Sequence, residues 1–453
     1  MTHVTAFASV CARLLWLAPA TLVALASPAL AVAVVPVTSP GGITAWLVED
    51  HTVPIVSLRL VFRGGTAIDP PGREGLAMLT ANLLDEGAAE YDTQAFQQLL
   101  SDNSISLSFN SGSDNFGGTL RTLVKKRDLA FDLLRLAITQ PRFDAEPVER
   151  VRGQVQNVIS RSANDPDQIA GRVFFRTVLP NHPYGRPSRG TPESVAAITG
   201  DDMRQFVADR FARDNLVLGV VGDIAADELG PLLDRTFGAL PAKSEPYDVV
   251  EAAPRASGEV IVAEWNVPQS TVLFGQNGLK RSDPDFYSAF VLNYILGGSG
   301  FTARLYQEVR EARGLAYSVY SYLSTYEHAG LMLGSAGTAN GRVKETIEVV
   351  RQQWAKMQSG EVTQAELDDA KAGLTGSFAI QFETTSSVAN TLVAMQTDRL
   401  GIDYIDKRNS FIEAVTLADV KRVANSLLDP ESLVFVIVGK PEGVTATRTV
   451  TGG

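Results

Sequence analysis

The sequence predicts an α+β fold made of two homologous halves, each a mixed or antiparallel sheet with helices packed on one face. Three observations carry this reading. First, ITGDDMRQFVADRFARDNLVLGVVG from Ile198 and VTLADVKRVANSLLDPESLVFVIVG from Val415 align over 25 residues without a gap. Thr199/Thr416, Asp202/Asp419, Leu216/Leu433, Val217/Val434, Val221/Val438 and Gly222/Gly439 are identical pairs. Each copy reads as a Thr-capped amphipathic helix, a short turn and a buried strand ending at Gly. A shared ending for both halves implies internal duplication. Second, hairpins and helices mix without regular β-α-β alternation, which favours α+β over a doubly wound sheet. Third, GALPAKSEPYDVVEAAPRASG, residues 238–258, carries three prolines and interrupts the periodic pattern on both sides. It reads as an extended linker. The expected organisation is a first half over 32–240, a linker over 241–257 and a second half over 258–453.

The individual elements follow from local pattern. ITAWLVEDHTVPIVSLRLVFRGG, from Ile43, gives two strands around a polar turn. From Ser104, apolar Ile105, Leu107 and Phe109 alternate with Ser and Asn; the chain then turns at SGSDN and returns, a hairpin. Helices are expected at Asp128–Ile138 and at about Pro147–Ser160. In the second half Asp283 caps a helix whose first residue is Pro284. TARLYQEVREARG gives another helix, closed by Gly314, and AYSVYSYLS follows as a strand.

Composition narrows the function classes. The chain has 453 residues, 45% hydrophobic and 20% charged, which suits a globular protein rather than a disordered or fibrous one. Its formal charge is −11 with no basic block, so nucleic-acid binding through clustered Lys and Arg is not expected. One cysteine, Cys11, and four histidines, His3, His51, His182 and His328, leave no disulfide scaffold, Cys nucleophile or His-rich metal cluster.

The first 31 residues read as a secretory signal peptide. Arg13 is their only charged side chain, and LLWLAPATLVALA then precedes the small-residue site Ala29-Leu30-Ala31. The apolar run is shorter than the ~20 residues that span a membrane; a retained N-terminal anchor is the alternative. Cleavage removes Cys11, so an exported, soluble mature chain is expected to have no disulfide and no membrane span. Its compartment is the periplasm if the source is Gram-negative.

Most enzyme motifs are absent. No G-x-x-x-x-G-K-[ST] and no G-x-S-x-G occurs. GGSGF at Gly297 is either an anion cradle or a flexible turn into a helix. NDPDQ and SDPDF are too short for calcium loops and read as helix caps. The informative segment is GREGLAMLTANLLDEGAAEYD, Gly72 to Asp92, where Leu76, Leu79 and Leu83 share one helical stripe. It resembles the pitrilysin/insulinase-type metallopeptidases, which include mitochondrial processing peptidase. Active members carry H-x-x-E-H here: two His one turn apart hold a zinc ion and the Glu is the base for its water. This sequence has Met78, Ala81 and Asn82 at those three positions. The family's third ligand is a Glu some 75 to 80 residues on. RVRGQVQNVISRSA, Arg150 to Ala163, has no acidic residue, and Asn157 and Val158 lie nearest the expected position.

Two further stretches carry the resemblance, which extends from about residue 35 to 440. HPYGRPSRGTPESVAAIT, from His182, is similar to the family's H-P-Y-G segment, and His182 is expected to be structural. RLYQEVREARGLAYSVYS, from Arg304, is similar to R-L-x-x-x-x-R-E-x-x-G-L-A-Y. The resemblance implies that Arg310 and Tyr317, seven residues apart, contact the substrate backbone. On the residues alone, two readings stand: a guanidinium and a phenol aimed at one carbonyl, or an exposed Arg among Glu308, Glu311 and Arg313 beside a Tyr packed in a sheet.

The resemblance therefore implies two halves facing each other like a clamshell. It implies a non-catalytic, substrate-binding subunit of an exported heteromeric zinc metallopeptidase acting on peptides. This chain would hold no metal, and zinc is expected in a heterodimeric partner with an intact H-x-x-E-H. Arg310 and Tyr317 would bind peptide substrate. The alternatives are a structural role, like the core subunits of respiratory complexes, or a peptide-binding protein with no peptidase activity.

Overall fold

The computed structural model describes residues 33–450. The expected signal peptide, with Cys11 and Arg13, lies outside the described residues. Among those described, no helix is long and apolar enough to cross a membrane.

Two six-stranded mixed sheets form the scaffold. The first contains β1 (Val35–Thr38), β2 (Thr44–Glu49), β3 (Ile55–Arg63), β4 (Ser106–Ser111), β5 (Asn115–Leu123) and β6 (Leu216–Gly222), in the order β1-β2-β6-β3-β5-β4. The second contains β7 (Val260–Glu264), β8 (Gln269–Asn277), β9 (Ala316–Thr325), β10 (Gly330–Ala339), β11 (Val434–Gly439) and β12 (Arg448–Val450), in the order β12-β7-β11-β8-β10-β9. β2 through β6 and β7 through β11 follow the same path. In each, the first strand pairs parallel with the last, which runs antiparallel to the second. The outermost strands break the symmetry: β1 is antiparallel to β2, whereas β12 is parallel to β7.

The duplicated helix–strand unit forms as its sequence dictates. Thr199 and Thr416 each accept from the backbone N–H three residues on, and Asp202 and Asp419 return the bond to the Thr N–H. These reciprocal capping boxes satisfy two orphan helix donors each. Both strands end at glycines with positive φ, 133° at Gly222 and 157° at Gly439. The expected helices appear as Arg127–Thr139 and Ala145–Ser162. The helix expected from Pro284 instead begins at Phe286, because Asp283 accepts from the Asp285 N–H (2.8 Å) and its carbonyl accepts from Phe286. The segment from Thr302 widens into a π-helix, Tyr306–Glu311, before Gly314 at φ 58° ends it.

Own-half helices pack one face of each sheet. On β3, Val56, Leu58, Leu60 and Phe62 point to that side, the period-2 pattern of a strand. The opposite face of each sheet receives a helix from the other half, which no periodicity reveals. Helix Thr385–Thr397 crosses β6 and β3, with Ser57 bonded to Thr385 (2.8 Å) and Gln396 donating to the Leu218 carbonyl (2.9 Å). The approach requires glycine: a Cβ at Gly219 would sit 2.8 Å from the Ala389 carbonyl oxygen. Reciprocally, helix Pro166–Val178 packs Phe174 and Val178 on Val434, Val436 and Val438 of β11. β11 is therefore buried on both faces, which explains its unbroken apolar run.

Candidate functional site

The Leu76–Ala81 helix is aimed by a buried carboxylate. Asp69, 2% exposed, accepts from the N–H groups of Gly75 (2.8 Å) and Ala77 (3.0 Å). Burial pushes its pKa up to about 7, against the lowering effect of those bonds and of Arg186. Arg186 in turn donates to the carbonyls of Asp69 (3.0 Å) and Ala67 (2.9 Å), tying the segment after His182 to the helix start. Leu76, Leu79 and Leu83 are buried as one stripe.

Met78 and Asn82, one turn apart, line a cavity of about 350 Å3 against the Ala145–Ser162 helix. That helix contributes Val151, Gln154, Val155 and Val158 to the wall. Of the two positions nearest the expected third ligand, Val158 lines the cavity and Asn157 does not. Ala81 is buried in the core instead of facing the cavity. The lining carboxylate, Glu86, is paired with Arg150 at 2.6 Å.

Arg310 and Tyr317 are brought together on the second half. Arg310 Nη1 donates to the Tyr317 backbone carbonyl (2.7 Å), and its guanidinium lies 5.0 Å from the ring centroids of both Tyr306 and Tyr317. Its Nε is 3.8 Å from Glu311. Most of the five guanidinium N–H groups thus remain available. Tyr317 is 77% exposed, so of the two readings left open by the sequence, a Tyr packed in the sheet is excluded.

A β-bulge explains that exposure. Gly337 pairs with Ser318 and Thr338 with Ala316, so Tyr317 is the extra residue on β9. A bulge re-aims the side chain it carries. Beyond it, Tyr320 and Tyr322 are exposed on one face, ring centroids 6.1 Å apart. Among the described residues β9 pairs with β10 alone, leaving an open edge beside these tyrosines. The residue-level reading missed Tyr320 and Tyr322; their i, i+2 spacing in a strand ending the Arg310 motif was the available signal.

His182 has a structural place. Its Nδ1 accepts from the Tyr184 N–H (3.1 Å), so Nε2 carries the proton and donates to the Val250 carbonyl (2.9 Å). Tyr184 bonds Asp114 through its hydroxyl, accepts from the His328 N–H (3.2 Å) and stacks on Tyr326 (4.7 Å). Asp114 also accepts from Glu327 N–H (3.0 Å). Burial and the Asp114 carboxylate push the Tyr184 pKa up. The H-P-Y-G segment thus joins the first-half hairpin to the second-half turn at 326–329.

Two family descriptions match the chain: "Insulinase (Peptidase family M16)" over residues 44–192 and "Peptidase M16 inactive domain" over 197–374. An uncharacterized zinc protease of Mycobacterium leprae is 30% identical over 309 residues, 67% of this chain and 68% of the relative. The chain belongs to peptidase family M16. A protein of Helicobacter pylori named non-peptidase homolog YmxG is 29% identical over 394 residues, covering 86% of this M16 chain and 90% of the relative. The crystal structure of a peptidase M16 inactive domain from Pseudomonas fluorescens superposes with a TM-score of 0.84 at 28% identity, over 92% of this chain and 100% of that one.

In this M16 chain the zinc position does not fit zinc. A thioether, an amide and a valine-rich wall stand where two imidazoles and a carboxylate would be needed. Among the described residues, no group of three or more His, Cys, Asp or Glu is placed to hold a metal ion.

Proposed function

We propose that this M16 chain is the non-catalytic, peptide-binding subunit of an exported heteromeric zinc metallopeptidase. A partner with intact H-x-x-E-H contributes zinc and base. This chain contributes chamber wall and the Arg310/Tyr317 pair. The observation that carries the reading is the contrast between its two halves: Met78, Asn82 and Val158 occupy the metal position, while half-buried Arg310 and exposed Tyr317 stand together beside an open strand edge. The YmxG relative's description as a non-peptidase homolog supports the first part.

The chemistry of the second half suits an extended peptide. An edge strand offers unpaired N–H and C=O groups that a peptide pairs with independently of sequence. Tyr317, Tyr320 and Tyr322 offer broad amphipathic contact. Arg310 keeps N–H donors for a substrate carbonyl, where they stabilise oxyanion charge developing during attack. Capture of the native chain from its source should bring down an H-x-x-E-H homologue; recovery of the chain alone under mild conditions contradicts the heteromeric assignment.

A further inference from the structure

We infer that a second cavity, behind the Arg310 segment, binds a small oxyanion: a phosphate or carboxylate group. Its volume is about 590 Å3, and it lies between the segment from Thr302 to Glu308, the end of helix Val343–Gln358 and the start of helix Gln364–Gly376. It is separate from the Tyr317 edge, and the inference does not depend on the peptide-binding role.

Three features converge there. Lys356 and Lys421 both line the cavity, and among the described residues neither is within ion-pair distance of a carboxylate. Gly360, at φ 83°, makes the turn beneath them; a Cβ there would be 3.6 Å from Lys421 Cδ, so the lysine stem runs along the turn. Gln353, 2% exposed, lines the same cavity, and its Nε2 has no hydrogen-bond partner among the described residues. A buried amide donor left unpaired is costly, and such groups are rare in native proteins unless a ligand or water meets them.

The carboxylates of the wall do not cancel this. Glu366 is held bidentately by Arg304 (2.6 and 2.8 Å) and Glu308 by Arg313 (2.6 Å). Glu361 alone lacks an arginine. The lining thus holds two lysines without a carboxylate partner and one buried, unpaired amide donor against one carboxylate that no arginine holds. An oxyanion would accept charge-assisted bonds from both lysines and one from Gln353. The volume leaves room for the anion to be carried on a larger organic group.

The test is calorimetric titration of the purified chain with inorganic phosphate and, separately, with succinate, at ionic strength held constant with chloride. Saturable binding of at least one probe is expected. Affinity should fall at least tenfold in the double variant Lys356→Ala/Lys421→Ala. It should fall several-fold in Gln353→Met, whose unliganded thermal midpoint should be unchanged or raised because an unpaired donor is removed. A preference for phosphate or for succinate assigns the natural anion as a phosphate ester or a carboxylate. No saturable binding of either probe, or equal affinity in the double variant, overturns the inference.

Discussion

Arg310→Ala separates a contact made during turnover from a contact that merely holds the fold. In the free chain the side chain donates one bond, at 2.7 Å, to the Tyr317 carbonyl and covers the Tyr317 ring. The bond is partly solvent-exposed, so its loss costs about 0.5–1.5 kcal/mol. Loss of the cation–π contact adds ~0.5–1 kcal/mol at an exposed site. A total of about 1–2.5 kcal/mol is small against the ~5–15 kcal/mol that holds a typical domain, so the variant folds and assembles. If the guanidinium donates to the oxyanion, turnover of the complex falls ~10²–10³-fold. Tyr317→Phe removes only an exposed hydroxyl and should change stability by under ~0.5 kcal/mol, while lowering turnover in the same direction. Arg310→Lys should recover only part of the loss, because a point charge replaces a planar fork. The assay is quenched-peptide cleavage by the reconstituted complex, with assembly checked by sedimentation. Unchanged turnover in both Arg310→Ala and Tyr317→Phe, with the complex intact, refutes the substrate-contact role.

Two further predictions rest on the first half. Met78→His with Asn82→His places two imidazoles at the cavity and should bind zinc weakly; adding Val158→Glu should raise affinity more than Asn157→Glu, since Val158 lines the cavity. Ala81→Glu overpacks a buried site by ~1–3 kcal/mol, so Met78→His/Ala81→Glu/Asn82→His should cleave no peptide; robust cleavage would reveal an unrecognised third ligand. Asp69, raised from 3.8 to about 7, keeps its proton in the folded state where the unfolded chain has lost it. Its contribution to stability is therefore lost as pH rises from about 4 through 7. Asp69→Asn, which cannot ionise, should gain on the parent in urea unfolding as pH rises from 5 to 8; a pH-independent difference contradicts the burial argument.

What was legible in the sequence was local. The Thr199–Asp202 and Thr416–Asp419 boxes, the glycines closing β6 and β11, and the β4–β5 hairpin each arise within a few residues, so their chemistry is readable in place. The resemblance carried by RLYQEVREARGLAYSVYS assigned Arg310 and Tyr317 a shared role. It did not show that the guanidinium bonds the Tyr317 carbonyl, because a bulge at Gly337/Thr338, on the neighbouring strand's register, decides where that side chain goes. The exchange of helices Pro166–Val178 and Thr385–Thr397 was illegible for a related reason. The sheet each covers is far away in sequence; the unbroken apolar run of β11, and Gly219 and Gly275, where a Cβ would meet the crossing helix, mark that something covers the sheet but not what. Asp69 carries no local sign of its role, since nothing nearby signals that it accepts from the first turn of a helix starting seven residues later.

The central claim is that this chain depends on another for zinc and for catalysis. Its most direct test is one paired measurement of zinc content and peptide cleavage, on the purified chain alone and after reconstitution with its H-x-x-E-H partner. The account predicts no stoichiometric zinc and no cleavage for the chain alone. It predicts one zinc per heterodimer and cleavage that needs both chains. One zinc retained by the isolated chain through dialysis, with chelator-sensitive cleavage, would contradict it.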